Sequence, residues 1–490
     1  MRPIESLLSL ANLLTFCVFA IPLPRVLFWM RYGVAIALLI AVAQVLVEGP
    51  RWQMIPAYAL TGLFFLVWLA DSAAAGGLTG QVVTNWLAVG LGVLGLVVSL
   101  VLPIILPVFR FLQPSGPYEI GTLTYHWVDA DRPELFSADP VARRELMVQV
   151  WYPAQGELSS PSAPYVQDAD ALASALARQR HLPELTFGHL KYVTTNATPS
   201  APVADDKPSY PVLILLEGLT GFRQMNTFQV EELVSHGYIV AAIDQPYAAA
   251  VVVFPDGRQI AGLSLDQMKA LIRPSLSPVE KAPTLNGRAL EKGIIPYLAQ
   301  DTIFTLGQLA ALNQADPNGI LTGRLDMQRI GIFGVSLGGI VVGEACRLEP
   351  RLRACLVMDA PMPAAVVHAG LPQPNMWITR DSETMQLEGW PQAEIDEHLT
   401  TMRAVFERLT GDGYFVRAPG MFHANLTDIP RWSPLWSWLG VTGPIDGERA
   451  HSIINAYSLA FFDRHLKGRS AALLDGPAEQ YPEILFEARQ

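Results

Sequence analysis

The chain has 490 residues, of which 51% are hydrophobic and 16% are charged. Its net charge of −11 offers no basic surface to a polyanion, so we expect no nucleic-acid partner. The length exceeds that of one ordinary domain, and the shortage of charge is confined to one end of the chain. Two domains of different character are therefore predicted.

Residues 1–112 contain only eight charged side chains and four consecutive apolar segments. The segments lie at about 6–22, 32–47, 55–70 and 86–109, and each is near the ~20 residues that cross a hydrocarbon core. A cleavable signal peptide would have one short apolar core. No ionisable residue lies near the middle of a segment, as a transport path would require. We predict an all-α transmembrane domain of about four helices that serves as an anchor.

Residues 113–490 begin with the helix breakers Pro114, Gly116 and Pro117, and the pattern of apolar residues changes after them. Two runs are typical of paired edge strands, at 122–129 and 145–153. The apolar runs after them are typical of buried strands, at 211–217, 238–244, 329–334, 354–360, 375–381 and 414–420. Helical patterns lie between the buried runs, at 226–236, 291–314, 338–348, 393–409 and 451–467. Surface excursions are predicted at 155–209 and 245–290, the second with a hairpin turn at 254–257. Such alternation predicts a mostly parallel sheet with helices on both faces.

Cysteines are sparse in both parts of the chain. Cys17 lies in an apolar segment, and Cys346 and Cys355 lie in predicted core elements. We therefore expect neither a disulfide framework nor a zinc site, and no other metal or cofactor is indicated.

The stretch GIFGVSLGGIV (331–341) places a serine between glycines where a buried strand ends and a helix begins. Gly-x-Ser-x-Gly in this context is the nucleophile elbow of α/β-hydrolases. The turn is so tight that side chains at Gly334 and Gly338 would collide with neighbouring backbone. Ser336 is therefore the predicted nucleophile, raised above the sheet at a helix N-terminus.

A serine hydroxyl needs a histidine to accept its proton and an acid to orient that histidine. His423 comes directly after the last predicted parallel strand, where the order Ser…Asp…His requires the base, whereas His451 and His465 belong to the predicted C-terminal helix. Two acids are candidates. Asp381 ends strand 375–381, the common position in this fold, and Asp359 ends the strand directly after the elbow helix.

The segment 213–244, LILLEGLTGFRQMNTFQVEELVSHGYIVAAID, resembles the platelet-activating factor acetylhydrolase family, the lipoprotein-associated phospholipase A2 type. GVSLGG (334–339), MDAPM (358–362), HANLTD (423–428) and AYSLAFFDRHLKG (456–468) are similar to further motifs of that family. The resemblance covers about 115–470 and implies an α/β-hydrolase fold without metal or cofactor. It also implies Asp359 as the acid, with Asp381 kept as the alternative.

The resemblance implies an oxyanion hole built by the backbone amides of Leu219 and Leu337. Asn425 and Asp428 are expected to pin the histidine loop through backbone hydrogen bonds, although ordinary turn roles are nearly as well supported. The chain departs from the family at Glu217, where the family has histidine. An ionised carboxylate there would oppose the oxyanion, so we expect Glu217 to hydrogen-bond loop backbone instead.

These features predict a membrane-anchored serine hydrolase of short-acyl phospholipids or related lipid esters, acting through an acyl-enzyme. The alternatives are a broad-specificity carboxylesterase or polyester hydrolase, and a membrane sensor with an inactive hydrolase domain. Expected partners are an ester substrate and the membrane; the pattern does not indicate an oligomeric state.

The arginines near the apolar segments support the two possible membrane orientations almost equally. Arg25 and Arg31 favour a cytoplasmic first loop, whereas Arg2, Arg51 and Arg110 favour the reverse. An extracytoplasmic catalytic domain is expected on functional grounds, because lipids and polymers are met there.

Overall fold

The computed structural model describes residues 1–20, 30–73, 86–156 and 161–489. The chain divides into two compact units. The first comprises residues 1–109, 185–192 and 432–435, and the second comprises 110–184, 193–431 and 436–490. Arg25, one of the arginines used to predict orientation, lies outside the described residues.

The first unit contains four long apolar helices: α1 (Pro3–Ala20), α2 (Gly33–Val47), α3 (Ile55–Ala73) and α4 (Trp86–Ile105). The segments Pro3–Ala20, Met30–Val47, Trp52–Ala73 and Trp86–Ile105 are long and apolar enough to cross a membrane, by length and composition. Charged side chains near the helix ends are paired: Glu5 lies 2.7 Å from Arg51, and Arg31 lies 2.8 Å from Asp71. Pairing lowers the cost of placing these charges beside apolar surface.

The second unit is built on a ten-stranded sheet with the strand order β14-β13-β12-β11-β10-β4-β5-β2-β1-β3. The strands of this sheet are β1 (Glu119–Pro133), β2 (Arg143–Ala154), β3 (Ala197–Pro199), β4 (Tyr210–Leu216), β5 (Ile239–Asp244), β10 (Leu325–Val335), β11 (Leu352–Met358), β12 (Asn375–Thr379), β13 (Gly413–Arg417) and β14 (Leu485–Arg489). The pairs from β5 through β4, β10, β11 and β12 to β13 are parallel. The predicted mostly parallel sheet is therefore present.

Short strands and helices complete the unit. Two small hairpins are formed by β6 (Val251–Val253) with β7 (Gln259–Ala261) and by β8 (Thr284–Leu285) with β9 (Arg288–Ala289). The helices are α5 (Ala169–Gln179), α6 (Thr227–Ser235), α7 (Leu265–Leu276), α8 (Ile295–Gln314), α9 (Leu337–Leu348), α10 (Ala364–Ala369), α11 (Ser382–Leu387), α12 (Gln392–Arg408), α13 (Ile429–Trp432) and α14 (Gly447–Lys467). The hairpin predicted at 254–257 is confirmed, whereas α5 and α7 fall inside segments predicted only as surface excursions.

Alternate residues of β10 face helices on opposite sides of the sheet. Phe333 packs against Phe462 of α14, with ring centroids 6.0 Å apart. Ile332, the preceding residue, belongs to the buried cluster that contains Leu306 of α8 and Val341 of α9. Because successive side chains of a strand point to opposite faces, both faces are covered by helices. This burial explains why the central strands are continuous apolar runs.

A disulfide joins Cys346 on α9 to Cys355 on β11. The sequence analysis expected no disulfide framework, and this bond corrects that expectation. Their Cα atoms are 6.7 Å apart because α9 leads directly into β11 and packs against it. This distance lies within the range that a disulfide can bridge.

Candidate active site

Ser336 lies in the turn between β10 and α9. Its backbone has φ 56° and ψ −121°, and its amide donates to the carbonyl of Met358 at 2.9 Å. A Cβ at Gly334 would lie 2.7 Å from the carbonyl carbon of Gly338, and a Cβ at Gly338 would lie 2.0 Å from the carbonyl oxygen of Leu216. Both separations are too short for a real side chain. The turn therefore requires glycine on each side of the serine.

His423 and Asp359 are in contact. Nδ1 of His423 lies 2.5 Å from Oδ2 of Asp359, and the histidine side chain is 29% exposed whereas the aspartate is buried. Asp359 follows β11, and His423 begins a short turn after β13. The carboxyl ends of parallel strands meet at one edge of the sheet, which brings together residues that lie 64 positions apart.

Asp359 has further partners on both oxygens. Oδ1 accepts a hydrogen bond from Thr379 Oγ1 at 2.8 Å and lies 3.3 Å from Nε2 of His398. Oδ2 lies 2.8 Å from Nη2 of Arg380, whose side chain is fully buried. Burial by itself would raise the pKa of Asp359, but the Arg380 charge and the two histidines hold it well below its usual range. Asp359 is therefore ionised at neutral pH.

Asp381, the alternative acid, caps a helix. Its side chain accepts a hydrogen bond from the amide of Thr384 at 2.7 Å, at the start of α11. This is the usual N-cap interaction, which satisfies a backbone donor of the first turn. Of the two candidate acids, Asp359 is the one that the structure places against His423.

The loop after β4 lies beside the serine. A Cβ at Gly218 would lie 3.3 Å from the Cβ of Ser336. Thr220 adopts a positive φ of 62°, and its amide donates to the carbonyl of Ala248 at 2.8 Å. Leu219, between them, and Leu337, after the serine, line the same cavity as Ser336. The loop is thus close enough to present an amide to an atom bonded to Ser336.

Glu217 does not form the backbone hydrogen bonds expected from the sequence. Its side chain is buried, and neither carboxyl oxygen has a hydrogen-bond partner among the described residues. Burial, followed by the nearby charges of Asp244 and Asp428, raises the pKa of Glu217 well above its usual value. Both effects favour the protonated, neutral carboxyl group, which would lessen the electrostatic conflict with an oxyanion.

Asn425 and Asp428 both bind backbone. Oδ1 of Asn425 accepts from the amides of Phe422 at 2.9 Å and Gly443 at 2.7 Å. Asp428 accepts from Thr227 and Phe228, at 3.0 and 3.1 Å, at the start of α6. The loop that carries His423 is thereby tied at two points to the rest of the unit.

One cavity of about 1220 Å³ is lined by Ser336, Leu337, Leu219, Asp359 and His423. Part of its wall is apolar, with Leu265, Ile272, Leu276 and Ile340. Cavities that take drug-sized ligands occupy ~300–1,000 Å³, so this one has room for a large ester. Within the described ranges, no group of three or more His, Cys, Asp or Glu side chains is placed to hold a metal ion.

Arg380, Glu388, His398 and Trp390 surround the Asp359–His423 pair and were missed by sequence reasoning. Arg380 precedes Asp381 at the end of a predicted strand, so the sequence predicts its place at the edge of the sheet. The sequence does not predict the contacts of Glu388 and His398, because these residues lie in segments without a strand or elbow motif. The available signal was an arginine directly before the candidate acid Asp381, at the end of a predicted buried strand.

Comparison with known proteins matches residues 109–273 and 306–473 to the family described as "Platelet-activating factor acetylhydrolase, isoform II". The platelet-activating factor acetylhydrolase of Cavia porcellus is 24% identical over 380 residues, covering 72% of this chain and 77% of that protein. The "Probable 1-alkyl-2-acetylglycerophosphocholine esterase" of Arthroderma benhamiae is 23% identical over 410 residues, covering 77% and 94%.

The solved structure of a ferulic acid esterase from Streptomyces cinnamoneus is 28% identical, with a TM-score of 0.60. It matches 78% of this chain and 99% of the esterase chain. The predicted α/β-hydrolase fold is confirmed by this likeness together with the mostly parallel sheet.

Proposed function

Since the chain belongs to the platelet-activating factor acetylhydrolase family and is an ester-hydrolysing enzyme, we propose that it is a membrane-anchored serine hydrolase. In this proposal Ser336 is the nucleophile, His423 the general base and Asp359 the acid that orients the base. The observation that carries it is the 2.5 Å contact between His423 and Asp359 in the cavity that contains Ser336.

The reaction proceeds in two halves. His423 accepts the hydroxyl proton of Ser336 as the oxygen attacks the ester carbonyl, and the imidazolium then donates that proton to the leaving alcohol. Water repeats the sequence on the acyl-enzyme and releases the acid. Asp359 holds Nδ1 of His423 protonated, so that Nε2 is free to accept the proton.

Backbone amides of Leu219 and Leu337 stabilise the negative oxygen of each tetrahedral intermediate. The proposal is supported by the closeness of Gly218 to Ser336 and by the position of Leu337 at the first turn of α9, where amides have no intrahelical acceptor. Two such donors are each worth about 10²–10³ in rate.

Short-acyl phospholipids or related lipid esters are the proposed substrates. The names of the relatives from Cavia porcellus and Arthroderma benhamiae support this class, as do the size and apolar wall of the cavity. A broad-specificity carboxylesterase is the second candidate, favoured by the likeness to the ferulic acid esterase over 99% of that chain.

Residues 1–112 are proposed as the membrane domain and 113–490 as the catalytic domain, with the latter outside the cytoplasm. The four apolar helical segments support the anchor. The Cys346–Cys355 disulfide supports the orientation, because disulfides are rare in the reducing cytosol. Protease added to intact expressing cells should degrade residues 113–490; full protection of that domain would reverse the orientation.

One experiment tests the chemistry and separates the candidates. The full-length chain in detergent should react with a fluorophosphonate probe, and the Ser336→Ala variant should not. Hydrolysis of p-nitrophenyl butyrate and of a short-chain phospholipid is then compared. Turnover of both favours the lipid esterase, and turnover of butyrate alone favours the broad carboxylesterase. Absence of labelling and turnover in the parent would leave an inactive membrane protein and refute the proposal.

A further inference from the structure

The carboxylate of Asp359 is shared between His423 and a buried arginine. Nδ1 of His423 and Nη2 of Arg380 lie 2.5 and 2.8 Å from the same oxygen, Oδ2. An orienting acid has to stabilise the imidazolium that forms during the reaction. A fixed positive charge on that oxygen works against this, so Arg380 by itself should weaken the base.

Glu388 offsets the arginine. Its Oε2 forms an ion pair with Nη1 of Arg380, and its side chain is only 15% exposed. The same carboxylate accepts from the backbone amide of His423, at 3.3 Å to Oε1 and 3.4 Å to Oε2. One side chain therefore contacts both the arginine that binds the acid and the backbone of the base.

The three charges sum to that of an ordinary orienting acid. Asp359 and Glu388 are negative and Arg380 is positive, which gives −1 beside the imidazole. When His423 becomes protonated, the group of four side chains is neutral. Removal of Glu388 would leave a net charge of zero around the imidazolium, and removal of Arg380 would leave a net charge of −2.

We propose that Arg380 and Glu388 are a pair of positioning residues: Arg380 fixes the Asp359 carboxylate, and Glu388 restores the negative charge and holds the backbone of His423. The pair acts on the reaction through Asp359 and His423, so the inference rests on the proposed Ser336–His423–Asp359 chemistry.

Other charged and aromatic groups also face Asp359, Arg380 and the cavity. The ring of Trp390 covers the guanidinium, with Cζ of Arg380 4.3 Å from its centroid. His398 of α12 touches the other oxygen of Asp359. Glu397, which also lines the cavity from α12, is paired with Arg273 at 2.7 Å. Glu394 of the same helix lines the cavity as well.

The test is the pH dependence of kcat/KM for p-nitrophenyl butyrate, measured on the full-length chain in detergent. Loss of a negative charge disfavours the imidazolium, so Glu388→Gln should move the acid limb to lower pH by about one unit. Loss of the positive charge favours it, so Arg380→Gln should move the limb to higher pH by about one unit. The double variant should return the limb to the parent position, while kcat in all three falls by about tenfold or more through misplacement of the base.

Charge-preserving controls separate the two roles. Glu388→Asp and Arg380→Lys should leave the acid limb unmoved, even where kcat falls. Single variants whose limbs stay fixed or move in the same direction would overturn the proposal, because a purely structural role changes kcat without opposite shifts. If Arg380→Gln fails to fold, the contrast between Glu388→Gln and Glu388→Asp decides the question. Ser336→Ala separates failure of the proposed triad from failure of the proposed pair. An active Ser336→Ala enzyme would refute the proposed serine chemistry. If Ser336→Ala is inactive but the acid limbs of Glu388→Gln and Arg380→Gln stay unshifted, only the role of the pair is refuted.

Discussion

Substitution of Gly338 by alanine probes the tight turn at the proposed nucleophile. The added Cβ would lie 2.0 Å from the carbonyl oxygen of Leu216, 2.5 Å from its carbonyl carbon and 2.8 Å from the carbonyl oxygen of Glu217. All three atoms are backbone, so no side-chain rotation can relieve the clash. Either the start of α9 or the loop that carries Leu219 has to move.

The size of the movement follows from the distances. Carbon–oxygen contacts settle at about 3.3–3.6 Å, so a separation of 2.0 Å requires a displacement of roughly 1 Å or more. A misplacement of ~1 Å at reacting groups can cost about 10²-fold in rate. Overpacking of a dense site costs about 1–3 kcal/mol of stability. We therefore expect kcat to fall about 10²-fold while the chain still folds.

Gly307→Ala is the matched control. Gly307 also lies inside a helix, α8, and a Cβ there would meet no atom within 4 Å. This variant should retain full activity and gain up to about 1 kcal/mol from helix propensity. The assays are kcat on p-nitrophenyl butyrate, the rate of fluorophosphonate labelling and thermal unfolding. Activity of Gly338→Ala within twofold of the parent would refute the close approach on which the elbow geometry depends.

Four further substitutions test individual carboxyl groups. Asp359→Asn should lower kcat by about 10³–10⁴-fold, whereas Asp381→Asn should remain active because that side chain only caps a helix; the opposite result in steady-state kinetics would exchange their roles. Glu217→Gln should keep kcat/KM near the parent value at pH 7 and retain activity at alkaline pH, where ionisation of Glu217 would oppose the oxyanion; an unchanged alkaline limb would argue against that ionisation. Burial raises the pKa of Asp428 to about 7, above its unfolded value of ~3.9, so the folded state should lose stability as pH rises from about 4 to 7. Asp428→Asn should flatten this dependence of Tm on pH, and a parallel curve would show that Asp428 does not titrate in that range.

The strands and helices that support the site could be predicted from local pattern. Buried parallel strands are continuous apolar runs, and the elbow glycines are required by backbone contacts between β10, α9 and β4. The predicted helix at 338–348 and the observed α9 at Leu337–Leu348 differ by one residue. Local patterns of this kind are set by burial and backbone geometry, which the sequence records directly.

Pairings across the fold could not be predicted in the same way. Strand β14 joins β13 from the far C-terminus, and its short run 485–489 has no strong apolar alternation. The Cys346–Cys355 bond depends on the distance between a helix and the strand that follows it. Asp359 could be preferred over Asp381 only through resemblance, because strand position alone favoured the latter. The strand pairing, the disulfide and the position of the acid are each determined by tertiary contacts rather than by local propensity.

The charges of the site illustrate the same dependence on tertiary contact. Glu217 and Asp359 are both buried carboxyl groups, and they follow β4 and β11, the two strands on either side of β10. Arg380 lowers the pKa of Asp359, whereas Glu217 has no such partner in the described part of the chain, and burial and neighbouring negative charge raise its pKa. Acidic groups whose pKa values are shifted in opposite directions in one site are a common means of dividing roles. A glutamate in place of the family's histidine is therefore compatible with an oxyanion hole, provided that no cation approaches it and allows it to ionise.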